Sequence, residues 1–188
     1  MSDMSPTPTA MMTVAMMVAM MLPSFAPTLW RRHRHLRAMR VPRAARQTTL
    51  FAAGYLGVWT AMGVALAALP AFALSPWATA GVVLCAGALQ CSRWKAKQLH
   101  RCRDACTSVQ AESRNVMISW LRGCRLGVDC CLSCAAPMAV LYVAGLMDVG
   151  MMMLITAAIT AERVAPGGAR IARLTGGVAL MAGLLMCV

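Results

Sequence analysis

The stretch GVDCCLSCAAPMAVLYVAGLM, Gly127 to Met147, runs for 21 residues with one carboxylate and no Lys or Arg. A helix of about 20 residues rises ~30 Å, the thickness of a bilayer's hydrocarbon core. The same stretch opens with three cysteines beside an aspartate. It therefore poses two questions together: whether the chain is a membrane bundle, and whether its sulfur atoms form a site.

The rest of the sequence answers the first question. Of 188 residues, 60% are hydrophobic, and mean hydropathy is +0.64; soluble domains run nearer ~45–50% apolar. The net charge of +12 would suggest nucleic acid if it were spread along the chain. Instead, the 18 basic residues fall in three blocks, at 31–46, 93–125 and 163–173, separated by long apolar segments. That layout suits membrane lipid as the partner, with no nucleic acid. The expected fold is all-α: a polytopic membrane helix bundle of about six transmembrane helices plus a cytoplasmic amphipathic helix.

The expected spans are about 11–30, 50–74, 76–91, 126–147, 149–163 and 171–188. Breaks fall at Ser75-Pro76 and Asp148-Val149-Gly150. Residues 1–10 read as a disordered tail, and 11–188 as a single transmembrane domain. Basic loops at 31–49 and 91–125 join the spans on the cytoplasmic side. The three basic blocks alternate consistently with that side and put both termini outside. Residues 31–46 carry almost no apolar face and read as a solvated loop near anionic headgroups. Within 91–111, Cys91, Trp94, Gln98, Leu99, Cys102 and Cys106 recur at helical spacing, which predicts an amphipathic interfacial helix.

The second question turns on sulfur. Cys130 and Cys134 stand at i and i+4 on one helical face, and Met138 continues the stripe. Thiolates and a thioether in line suit a soft ion, above all Cu(I). Cys131 and Cys134 form a C-x-x-C, which could serve redox or metal chemistry. The cytoplasmic end of a span is a reducing place, where a permanent disulfide is not expected. Cys102 and Cys106 repeat the i,i+4 spacing on the amphipathic helix. Met16 and Met20 belong to a methionine stripe in the first span, at a depth matching that of Cys134 and Met138. Methionine stripes also serve as adaptable packing. Pro23 leaves the Ala19 carbonyl without its helical partner, and Ser24 is placed to help satisfy the local backbone. Glu162-Arg163 reads as an ion pair at a helix end. Cys85 and Cys187, each alone, read as packing.

Several segments together resemble a family. They are VAMMLPS (Val18 to Ser24), GYLGVW (Gly54 to Trp59), GVDCCLSCAAPM (Gly127 to Met138), VAGLMD (Val143 to Asp148) and AERVAPGG (Ala161 to Gly168). Gln90, Lys95, Leu99 and Cys102-Arg103 keep the order between them. The set is similar to the predicted metal-binding integral membrane proteins of bacteria, a domain-of-unknown-function family sometimes described as copper-related. The resemblance implies a multi-pass protein of the bacterial inner membrane, with Cys130, Cys134 and Met138 at matching positions. The expected function is binding of a soft metal, copper(I) first, as a chaperone, handling factor or transporter, with a metal-delivery protein as partner and no enzymatic reaction. A thiol–disulfide oxidoreductase using Cys131 and Cys134 is the enzymatic alternative, and an assembly subunit without bound metal is the third.

Overall fold

The computed structural model describes residues 6–40, 43–68, 75–107, 116–144, 148–165 and 167–187. These form seven helices: α1 Pro6–Ala38, α2 Ala44–Ala68, α3 Pro76–Cys91, α4 Arg93–Thr107, α5 Val116–Ala144, α6 Val149–Val164 and α7 Gly168–Leu185. No strand occurs among the described residues.

Four helices are long and apolar enough to cross a membrane: α1 from Met11, α2, α5 over Met117–Val143, and α7. Between 22% and 39% of the residues in their most apolar stretches are buried. The remaining apolar surface faces outward and needs an apolar solvent. Of the other two expected spans, α3 and α6 are 16 residues each, about 24 Å of rise, short of a bilayer core. Local chemistry sets their starts. Ser75 caps α3 by accepting from the Ala78 amide, with Pro76 at the first helical position. Asp148 caps α6 by accepting from the Met151 amide at 3.1 Å.

Three expectations need correction. The basic segment at 31–38 is helical and continues α1; α2 begins at Ala44, inside the other half of the expected loop. The reason is a face that composition alone hides. Leu36 is fully buried, and the buried Arg32 lays its guanidinium 4.5 Å from the Phe51 ring centroid. The helix then stops where Arg40 adopts φ 52°, the left-handed conformation that ends helices. The second correction is α5, which starts at 116, so Arg122 and Arg125 sit on its first turns. The expected N-terminal tail is helical from Pro6, while residues 1–5 lie outside the described residues.

The chain divides into two compact units, Met1–Ala71 with Ala105–Val128, and Phe72–Asp104 with Asp129–Val188. In the first, α1 and α2 pack through stacked aromatics: Phe25 lies 4.0 Å from Tyr55 and 6.1 Å from Phe51 between ring centroids. Phe51, Tyr55 and Trp59 are all buried at i, i+4 and i+8. The start of α5 lies against α2 through glycine. A Cβ on Gly123 would overlap the Phe51 carbonyl, and one on Gly54 would overlap that of Trp120. Small residues let the backbones approach to this distance.

In the second unit, α3 and α7 meet the same way. A Cβ on Gly87 would lie 3.0 Å from the Gly176 carbonyl oxygen, and one on Gly176 would lie 3.0 Å from that of Gly87. A direct check uses Gly123→Ala, which should lower the melting temperature in detergent. Gly57→Ala meets open space and should be neutral or stabilising by up to about 1 kcal/mol from helix propensity. Equal melting of the two variants would contradict the packing.

Candidate metal-binding site

The site lies wholly in the second unit and begins with a proline. Pro137 stands inside α5, so it offers no amide to the carbonyl of Ser133 four residues earlier. In an apolar interior that oxygen needs another donor. Lys95 supplies it: its ammonium donates to the Ser133 carbonyl. A buried ammonium needs a counter-charge, and Glu162 of α6 provides one at 2.9 Å, both side chains being 3% exposed or less. The carboxylate is held in turn by the Gln90 amide from α3 and by the Thr175 hydroxyl from α7 at 2.8 Å. Five helices thus meet on one buried ion pair.

The sulfur atoms sit beside it. Cys130, Cys134 and Cys102 are 0%, 2% and 1% exposed. Cys130 is in hydrogen-bond contact with both Cys102 and Cys134. The Ser133 hydroxyl donates to the Cys130 carbonyl and lies 3.7 Å from Cys134 Sγ. Arg163 closes the group: Nη1 donates to Cys130 Sγ at 2.9 Å, and Nη2 to Cys102 Sγ at 3.3 Å. Cys102 lies on α4, outside the four long apolar helices. Its thiol is lowered from the ordinary 9.0 to about 6, first by the hydrogen bond from Cys130 and then by the Arg163 charge, against burial and Asp129. The Arg163 charge and the hydrogen bond from Cys130 thus favour the thiolate form of Cys102.

The structure brings three of the expected residues together: Cys130, Cys134 and Cys102. Cys131 is half-buried on the adjoining face of α5. Met138 is half-buried one turn beyond Cys134. Met16 and Met20 belong to the first unit. There Met20 is buried, as are Met17 and Met21, while Met16 is half-buried. The side chain of Cys106 lies outside the described residues. The eight described cysteines form no disulfide. Ser24 does satisfy local backbone: its hydroxyl donates to the Met21 carbonyl at 3.0 Å.

Two readings are overturned. Glu162 and Arg163 do not form an exposed helix-end pair; Glu162 is 2% exposed with Lys95 as its ion-pair partner, and Arg163 reaches the sulfurs. On α4 the buried face is Lys95, Gln98, Leu99 and Cys102, whereas Cys91 and Trp94 are exposed. Gln98, Leu99 and Cys102 are buried as the spacing implied, but Lys95 takes the inward place expected for Trp94, because its charge finds a buried partner in Glu162. One signal in the sequence pointed to this. Pro137 inside an apolar run demands a polar donor, and Lys95 and Glu162 are basic and acidic residues flanking apolar segments.

Soft sulfur is the right donor type for Cu(I) and the wrong one for a hard cation, which Lys95 and Arg163 would also repel. Among the described residues no group of three or more His, Cys, Asp or Glu is set around one point as a preformed metal site. A two-sulfur arrangement satisfies Cu(I), and Cys130 is in contact with a second sulfur on either side, Cys102 or Cys134. The thiolate itself can be followed by ultraviolet absorbance against pH. A step centred near 6 is expected, moving upward in Cys130→Ala, which removes the hydrogen bond that contributes most. A first step only near pH 9 in the parent protein would contradict the geometry.

No curated protein and no solved structure matches the chain. A family model described as a copper chaperone does, across residues 10–186. With nearly its whole length matched, and with buried thiols held in a helical bundle, the chain belongs to the PpoB2 copper chaperone family.

Proposed function

We propose that the protein is a membrane copper-handling factor that holds Cu(I) on Cys102, Cys130 and Cys134 and passes it to a partner. The observation that carries this reading is the trio of almost fully buried thiols, Cys130 in contact with both Cys102 and Cys134, two of them held by one guanidinium. Membership of the copper chaperone family supports the choice of metal. Met138 offers a thioether one turn beyond Cys134, suited to the same ion. Met16 and Met20 lie in the other unit and are left out of the assignment.

Binding should follow from the sulfur chemistry. The ion meets at Cys102 a sulfur whose thiolate form is favoured and displaces a thiol proton from Cys130, so two sulfurs can hold it. Cys134 is placed to take over one position as the ion moves. Exchange among three sulfurs with low coordination lets a carrier release its cargo, whereas a closed four-ligand site retains it. A reductively loaded sample of the purified chain should hold one Cu(I). Cys102→Ser with Cys130→Ser should abolish stoichiometric binding in competition with a colorimetric Cu(I) chelator. Undiminished binding by the double variant would refute the assignment.

We further place the protein in the bacterial inner membrane with its basic segments cytoplasmic and both termini periplasmic, an arrangement in which the 16-residue α3 and α6 carry the chain across as short spans alongside the four long ones. The segregation of the three basic blocks supports this orientation. A membrane-impermeant maleimide added to spheroplasts should then label Cys187 near the C-terminus, and Cys187→Ser should remove that label. Protection of Cys187 until the membrane is opened would reverse the orientation.

A further inference from the structure

Arg163 is the group that the family match and the sulfur pattern leave unexplained. Its guanidinium spans two helices' thiols, on α5 and α4, through two different nitrogens. A planar fork of this kind fixes the spacing of the two acceptors as well as supplying charge. The neighbouring Lys95–Glu162 pair is neutral in sum and internally satisfied. Asp129 acts on Cys102 in the opposite sense to Arg163, but Arg163 is the charge in hydrogen-bond contact with both sulfurs.

Resting on the copper-binding reading above, we propose that Arg163 selects a monovalent soft cation for the Cys102–Cys130 pair. The fixed guanidinium charge balances the excess negative charge of a bis-thiolate complex. Counting the sulfurs and the charge in hydrogen-bond contact with them, two thiolates carry −2, Arg163 carries +1, and Cu(I) brings the unit to zero; Asp129 is half-exposed and acts on Cys102 through space alone. A divalent ion on the same two sulfurs leaves a surplus positive charge in a buried place, which is costly. Within that contact shell a divalent ion reaches neutrality by ionising Cys134 as well. Arg163 is thus a positioning and charge-matching residue behind the ligands, as outer-shell partners are at other metal sites.

The test measures Cu(I) and Zn(II) affinities of the full chain in detergent by chelator competition, for the parent protein, Arg163→Met and Arg163→Lys. Arg163→Met should weaken Cu(I) about 10–100-fold, the usual effect of losing an outer-shell partner, while Zn(II) affinity holds or rises. Arg163→Lys, which keeps the charge and loses the fork, should recover much of the Cu(I)-to-Zn(II) ratio. An unchanged ratio in Arg163→Met, or a fall in Arg163→Lys as large as in Arg163→Met, overturns the proposal. If Arg163→Met does not fold, Arg163→Gln carries the same comparison with N–H donors retained. The Cys102→Ser and Cys130→Ser pair separates the two ideas. If that double variant binds Cu(I) normally, the site is wrong; if it does not and the Arg163 ratio stays put, only the charge-matching role fails.

Discussion

The carbonyl that Pro137 leaves without an amide organises the second unit. Pro137 cannot donate to the Ser133 carbonyl, and no water is at hand in an apolar interior to replace it. Lys95 does so, and its charge then requires Glu162, which requires Gln90 and Thr175. Each group is there because the previous one would be intolerable without it. Breaking a buried pair of this kind by removing one partner typically costs about 3–5 kcal/mol. That is enough to tie α3, α4, α5, α6 and α7 to one arrangement.

The thiols inherit their geometry from the same network. Cys130, Ser133 and Cys134 share the α5 face that Lys95 approaches. Cys102 lies two turns along α4 from Lys95, so anchoring Lys95 also delivers Cys102. Glu162 and Arg163 are sequence neighbours about 100° apart around α6. Anchoring the first directs the second toward a different side, where the sulfurs are. The site is thus placed by charge satisfaction rather than by sulfur–sulfur affinity. Its surroundings are apolar too. A cavity of about 410 Å³ beside Gln90 and Thr175 is lined otherwise by residues such as Val83, Ile155, Val178 and Ala182, and in such surroundings a fixed charge acts strongly.

The first unit shows a different economy of means. Stacked Phe25, Tyr55 and Phe51 and glycine contacts do the packing, with Arg32 covering the end of the aromatic row. The methionines Met17, Met20 and Met21 are buried there, consistent with flexible side chains filling irregular space. Spacing alone could not separate that role from ligation, since both call for the same i,i+4 repeat.

By itself the sequence determined the helical class and the limits of α3 and α6. Apolar run length, capping residues and the clustering of basic charge are local properties that need no partner. Helix α3 falls at 76–91 as its Ser-Pro start implies, and Cys130 with Cys134 share a face because the α-helix has 3.6 residues per turn. Only the tertiary structure decided that Lys95 and Glu162 face inward, that α1 runs on through its arginines, and that Cys102 joins the α5 pair. Burial of a charge is settled by a partner 67 residues away in the chain, and nothing within one helix's own periodicity records where that partner will be.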